Sequence, residues 1–205
     1  MIAYKFRSAT QIPFALDILF GQRLHCADWR EFNDIVEGTP VTSCSRSRAR
    51  EFLEHANAVA KSMHKLRVCS LSLTFNSHLL WAHYASAWEG LALEVEVPGL
   101  SNNIRKVDYK GFMCPVDPDL YTVEEDARRV LSTKDAAWSY EQEIRIIAKA
   151  DSFDLRAPVR MVIAGSRMKP AMLEALRIIC EKKTITLAKT GVGDEGIDAD
   201  IIYRP

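Results

Sequence analysis

The chain has 205 residues, 48% hydrophobic and 26% charged, with 27 basic and 27 acidic side chains and so no formal net charge. That composition fits an ordinary globular domain over 1–205 and excludes a disordered polyelectrolyte. It also lacks the basic excess with which a protein holds nucleic acid by bulk charge, and the chain is long enough to bury a full core without staples.

Five cysteines occur, at Cys26, Cys44, Cys69, Cys114 and Cys180. The number is odd and no CxxC or other metal-like spacing appears, so a disulfide framework is not expected and a reducing compartment fits. Cys69 and Cys180 sit in apolar runs and read as small buried hydrophobes. The N-terminal MIAYKFRS lacks the apolar core of a signal peptide, and no apolar stretch is long enough to span a bilayer. These features point to a cytoplasmic protein with no membrane partner.

In chain order, IAYKFR (2–7) alternates as a first strand. Ser8 or Thr10 can cap a helix with Pro13 in its first turn, running through Ala15, Leu16, Ile18 and Leu19 to Gly21. RLHCA reads as a short strand and WREFNDIVEGTP as a polar, aromatic loop. Ser45 or Ser47 opens the clearest helix, with Phe52, Leu53, Val59, Met63 and Leu66 near helical spacing. The basic run Arg46, Arg48, Arg50 beside it reads as a solvated helix end. RVCSLSLT (67–74) and LALEVEV (91–97) alternate as strands, and further strand-like stretches lie at 104–109, 143–148, 159–164, 184–188 and 199–203. Helices are expected near 120–132 and 169–182. No internal repeat, GxGxxG or GxxxxGK[ST] is present. Adjacent strands in the middle favour an α+β domain with a mixed or largely antiparallel sheet flanked by helices.

Four constellations can carry chemistry. LLWAHYASAWEG gathers Trp81, His83, Tyr84 and Trp88, which either wall a pocket for a flat ligand or plug the core end of the sheet. In WSYEQEIRII, Glu141 and Glu143 share a face if the segment is extended. Like charges that close raise one another's pKa, which suits acid–base work, while Arg145 on the same alternation can neutralise them. The plainer reading is a surface ion-pair ladder. Arg7, ending the first strand, can clamp a phosphate or pair with either glutamate. Glu31, Asn33 and Asp34 lie in a loop, where such residues usually cap backbone groups. Trp81 and Trp138, beside apolar or β-prone runs, are expected to be largely buried.

Together these pieces resemble a bacterial family of unknown function. Its members begin with a Tyr-Lys-Tyr-Arg-like strand, matched by YKFR, and carry a Phe-Asn-Asp-Pro-(Phe)-Glu loop, matched by EFNDIVEG with Ile35 in place of the proline. A Ser-Leu-Ser strand before a Met-Trp-Ser-His-Tyr-Ala motif is matched by CSLSLTFNSHLLWAHYASAWEG. A Lys followed by Trp-x-Tyr-Glu-x-Glu-x-Arg is matched by Lys134 and WSYEQEIR. The order of arginine, Ser-x-Ser and Glu-x-Glu is further similar to the arginine–serine–glutamate layout of ADP-ribosyltransferases.

That likeness implies NAD as substrate. Arg7 would grip its phosphates and ribose, Ser70 or Ser72 would support the nicotinamide ribose, and Glu143 would stabilise the oxocarbenium-like centre with Glu141 facing the acceptor. His83 and Tyr84 would stack on nicotinamide, and Trp81 and Asn33 complete the implied cofactor-binding set. Leu71 stands where those enzymes place a threonine. The reading is of an NAD-consuming transferase, such as an effector or phage-defence toxin, acting on an unidentified acceptor macromolecule. A non-catalytic sensor or interaction domain binding a nucleotide-like ligand is the rival. A metal-assisted hydrolase or nuclease built on His83, Glu141 and Glu143 is weaker, because no third acidic ligand lies at useful spacing and no metal site is expected. Position discriminates these readings, since the transferase requires Arg7, the 70–72 strand and Glu143 to converge on one cleft.

Overall fold

The computed structural model describes residues 1–111, 113–194 and 196–205. IAYKFR forms β1, Ile2–Arg7. A 3-10 turn leads into α1, Ile12–Gly21, with Pro13 in the first turn, where its missing N–H removes no helical bond. Gln22, rather than Gly21, takes the left-handed capping position and donates its N–H to the Ile18 carbonyl. RLHCA is divided between β2 (Arg23–His25) and β3 (Ala27–Asp28). After β4 (Pro40–Val41) comes α2, Ala49–Met63, entered through a 3-10 turn at Arg46–Arg48. The basic run is paired at the surface, Arg48 with Glu51 and Asp119, and Arg50 with Glu54.

β5 (Arg67–Ser72) is followed by α3, His78–Tyr84. Seven aromatic-rich residues are too few to show a helical period, so periodicity does not reveal α3. There follow β6 (Leu91–Glu96), β7 (Ile104–Lys106), β8 (Asp108–Tyr109), β9 (Cys114–Pro115), α4 (Val123–Val130) and β10 (Thr133–Lys134). A 3-10 helix over Ala136–Glu141 precedes β11 (Glu143–Ala148) and β12 (Ser152–Asp154). The chain ends with β13 (Met161–Ala164), α5 (Pro170–Lys183), β14 (Thr186–Gly193) and β15 (Gly196–Tyr203).

The described residues build a nine-stranded sheet in the order β15-β14-β13-β6-β1-β5-β11-β7, with β3 also on β5. Only β13 and β14 run parallel, joined by the α5 crossover; the other neighbours are antiparallel. This is the mixed α+β sheet expected from the order of elements. β1 pairs along its whole length with β6, from Ile2↔Glu96 to Arg7↔Leu91. Its pairing with β5 is a single position, Tyr4↔Ser72. Beyond that point the two strands separate, and β5 takes β3 instead through Ala27↔Val68 and Asp28↔Arg67.

Alternating side chains feed distinct cores. Ala3, Cys69, Leu71, Leu93, Ile144 and Ile146 pack with α1 and α5, with Cys26 and Cys180 among them. Val68 and Ile147 pack beneath α2 and α4. Phe6 and Ala92 meet Leu80, Trp81 and Ala85 of the α3 region. The turn after α3 holds three successive non-glycine residues in the left-handed region, Ser86, Ala87 and Trp88. It closes on Gly90, where a Cβ would lie 2.2 Å from the Arg7 carbonyl oxygen. The turn is thereby pressed against the end of β1, and any side chain at 90 would push the two apart.

Trp81 is fully buried, edge-on to Phe6 and stacked on Trp88, with its indole N–H donating to the Phe75 carbonyl at 2.8 Å. Trp138 departs from the burial expected of it: it is only half-buried, because it lies on a 3-10 turn at the surface rather than inside a strand. Its indole N–H reaches Asp34 at 3.1 Å. Trp81→Ala is therefore expected to lose about 3–5 kcal/mol of stability, by loss of the buried ring and creation of a cavity. Trp138→Ala should lose clearly less. Urea unfolding of the two variants side by side checks the order.

Candidate functional site

The separation of β1 from β5 opens a cleft of about 290 Å³. Lys5 and Arg7 line it from β1, Ser70 and Ser72 from β5, Glu143 and Arg145 from β11, and Tyr84 closes it from α3. Phe32, Asn33 and Glu37 reach it from the loop after β3, and Lys134 and Glu141 from the segment before β11. Arg7, the Ser-x-Ser strand and the Glu-x-Glu segment thus face one cavity, on three successive strands.

The β11 side is a buried ionic cluster. Arg145 donates to both carboxylate oxygens of Glu143, at 2.8 and 2.9 Å, to the Leu131 carbonyl at 2.8 Å, and to Glu37. Its guanidinium lies 4.5 Å from the centre of the Phe32 ring. Lys134 donates to Glu141 at 2.7 Å and stands 3.5 Å from both Glu37 and Glu143. All five side chains are buried, so this is no surface ladder of ion pairs. Glu141 and Glu143 also do not alternate along one strand. Glu141 ends the 3-10 helix, Gln142 is left-handed with φ 44°, and only Glu143 is in the strand. The kink brings both carboxylates to Lys134.

Three carboxylates meet two cations, which leaves one surplus negative charge, and the two glutamates respond in opposite directions. Burial pushes the Glu143 carboxyl up, but Arg145 and Lys134 outweigh it and hold the group down at about 2. Burial raises the Glu141 carboxyl, Glu143 adds to the rise, and the bonds from Lys134 and Tyr84 only partly offset it. Tyr84 donates its hydroxyl to Glu141 at 2.6 Å, and burial together with that bond raises the phenol. Burial lowers Lys134, but the three carboxylates together raise it. Glu143 is held as an anion by its two cations, while Glu141 is the carboxyl that burial makes easier to protonate.

The β1 side has the opposite character. The Lys5 amine donates to the Ser70 carbonyl at 2.8 Å, across the gap left by the separating strands, and burial lowers its pKa. Among the described residues Arg7 makes no ion pair, and its buried Nε has no hydrogen-bond partner. Burial lowers Arg7 too. The Cys69 thiol sits near both cations and is drawn down by a hydrogen bond with Cys26 and, against its burial, by Lys5 and Arg7. Arg7 does not pair with Glu141 or Glu143.

Of the other residues expected at the site, Ser70, Tyr84 and Asn33 line the cleft. The Ser72 hydroxyl lies 2.7 Å from both the Thr74 and the Glu141 carbonyls and shares its one proton between them, so it ties down the backbone that carries Glu141. Trp81 and His83 do not line the cleft. Trp81 is in the core, and His83 is exposed on the far side of α3 with its Nδ1 3.0 Å from the Tyr140 hydroxyl. The reason is partly helical: at about 100° per residue His83 points some 200° away from Trp81, while Tyr84, one turn on from Trp81, stays on the same side and reaches the cleft from the less buried end. Asp34 caps the Val36 N–H, as loop residues do. Among the described residues no group of three His, Cys, Asp or Glu side chains is placed to hold a metal ion. No described helix is long and apolar enough to cross a membrane.

Nothing in the sequence marks Lys5, and Glu37 and Lys134 stand out there only as members of the EFNDIVEG and Lys…WSYEQEIR motifs. Glu37 ends the FNDIVE segment and Lys134 follows α4 after Thr133, yet both are buried. A lone charge next to apolar residues carries no sign of burial until its partners are known. No family model matches the chain, and neither a curated protein nor a solved structure matches it.

Proposed function

We propose that the cleft binds an NAD-like nucleotide and breaks its N-glycosidic bond, transferring the ribosyl group to an acceptor. One observation carries this reading: two cations on β1, without carboxylate partners among the described residues, face an ionised, immobile carboxylate on β11 across 290 Å³. Such a field suits a ligand that is anionic at one end and becomes cationic at the other. The phosphate would complete the Arg7 guanidinium and Lys5, in the planar, multidentate manner arginine favours. The ribose would lie between Ser70 and Glu143, and the leaving ring beside Tyr84.

As the bond breaks, its electron pair leaves with nicotinamide and positive charge develops on the ribose, where Glu143 stabilises it without having to reorganise. Glu141 accepts the proton released when an acceptor hydroxyl, amine or water attacks. Two carboxyls whose surroundings push their pKa values apart divide the labour in this way. The motif resemblance described above supports the same assignment of Arg7 and Glu143. The hydrolase reading loses its base, since His83 lies outside the cleft.

The test is nicotinamide release from NAD with lysate as the acceptor source. Glu141→Gln is expected to slow it by about a hundredfold or more while NAD still raises the melting temperature. Absence of release by the unsubstituted protein would overturn the catalytic reading. A second reading, nucleotide sensing without turnover, is favoured by the occupation of both Glu143 oxygens by Arg145. It predicts stabilisation by nucleotide and no product.

A further inference from the structure

A second cavity, of about 320 Å³, lies between the end of α2 and α4. Its lining is basic. Lys61 comes from the last turn of α2, Lys65 from the turn after it, Arg128 from α4, and Lys149 from the position after β11. Glu124 is the one acidic residue among those described in the lining, and Leu66 and Val123 are apolar. Among the described residues none of the four cations pairs with a carboxylate, whereas Arg48, Arg50 and Arg177 each do. The neighbouring acids in the chain, Glu125 and Asp151, are engaged with Arg105 and Arg67. Arg128 makes two long bonds, each of 3.4 Å, to the Glu124 carbonyl and to Asn103 Oδ1, and its buried Nε has no partner among the described residues. Nor are the lysines needed to cap α2: the Ala60, Ser62 and Met63 carbonyls already accept the N–H groups of His64, Lys65 and Leu66.

This groove is separate from the cleft. Lys149 follows β11 at the end opposite Glu143, about 20 Å away at roughly 3.3 Å per residue. Like charges gathered around a cavity repel one another, and a bound anion removes that cost. Four cations against one carboxylate leave a surplus of three positive charges. A phosphate ester carries about −1.5 to −2 at neutral pH, so two such groups match the surplus and one does not. We propose that the groove binds a small molecule bearing two phosphate groups. Arg128 offers its fork to one phosphate, the lysines act as point charges on the rest, and Leu66 and Val123 receive the ligand's carbon skeleton. A nucleic-acid strand carries one charge per phosphate and is held along a stripe rather than in a pocket. The proposal is independent of what the cleft binds.

The test is titration calorimetry on the full chain with inorganic pyrophosphate as the probe, beside orthophosphate and a single-stranded oligonucleotide, at one fixed salt concentration. Pyrophosphate is expected to bind at least about tenfold more tightly than orthophosphate. Lys61→Glu and Lys149→Glu alter exposed side chains, so both should fold with an unchanged melting temperature. Each should weaken pyrophosphate binding by about tenfold or more, and Arg128→Gln should do the same. Arg7→Met, which changes only the cleft, should leave it unaltered. Loss of binding in Arg7→Met with retention in Lys61→Glu and Lys149→Glu would put the anion in the cleft and overturn the proposal. So would equal affinity for pyrophosphate and orthophosphate, or no affinity for pyrophosphate. An oligonucleotide that binds more tightly than pyrophosphate, and is lost in the same groove variants, would make this a nucleic-acid surface and overturn it too.

Discussion

Replacing Arg145 with Met is expected to destabilise the protein by about 3–5 kcal/mol, the loss typical when one partner of a buried ion pair is removed. Arg145 is 1% exposed and answers Glu143, Glu37 and the Leu131 carbonyl together. Without it two carboxylates stay buried with only Lys134 nearby, and neither can be rehydrated without opening the space between α4 and β11. Urea denaturation at neutral pH measures the loss, and a loss below about 1 kcal/mol would show that the cluster is more hydrated than its burial indicates.

The same cluster sets the acid limb of stability. Glu143 has a depressed pKa in the folded state, so its contribution is present above the unfolded glutamate value of about 4.3 and disappears as pH falls through about 2. Glu141 works in the other direction, since a raised folded pKa favours folding only while that carboxyl is protonated. Stability is therefore expected to fall on acidification below about pH 4, and Arg145→Met should flatten this limb. Glu143→Gln consequently does more than remove the charge proposed to stabilise the ribosyl cation. It leaves Arg145 with Glu37 as its one carboxylate partner among the described residues, so loss of turnover in that variant has to be read beside its melting temperature; Glu141→Gln leaves Lys134 beside both Glu37 and Glu143 and is the cleaner kinetic probe.

Arg7→Met should behave in the opposite way, losing ligand and keeping the fold. Among the described residues Arg7 has no ion-pair partner, and its Nε is buried without a hydrogen bond. Removal of an uncompensated cation from a partly buried site leaves stability unchanged or slightly raised, within about 1 kcal/mol. Hydrogen bonds to a charged group contribute about 1.5–3 kcal/mol, so nucleotide affinity should drop by roughly tenfold to a hundredfold. Calorimetric titration with NAD and a melting curve on the same sample separate the two effects. A variant that unfolds easily, or one that binds NAD as before, would remove Arg7 from the role assigned to it.

The sequence by itself determined most of the local architecture. Its alternations placed β1, β5, β6 and β11, and the spacing of Phe52, Val59 and Met63 placed α2, because a two-residue period and a helical stripe are written directly in the order of residues. The three chemical landmarks, Arg7, the Ser70–Ser72 strand and Glu143, could likewise be picked out by residue type and order. Tertiary structure alone decided that they line one cleft. It is the loss of β1–β5 pairing beyond Tyr4↔Ser72 that makes a cleft, and no local pattern encodes where two strands separated by some sixty residues stop pairing. His83 is distinguished from Tyr84 by its direction around α3, and Trp81 from Tyr84 by its depth in the core, on a helix too short to announce itself. Glu37 and Lys134 become buried partners of Arg145, Glu141 and Glu143 only after loops distant in sequence close over β11. A charge is placed by whatever neutralises it in space, and that partner is chosen by the fold rather than by adjacent residues.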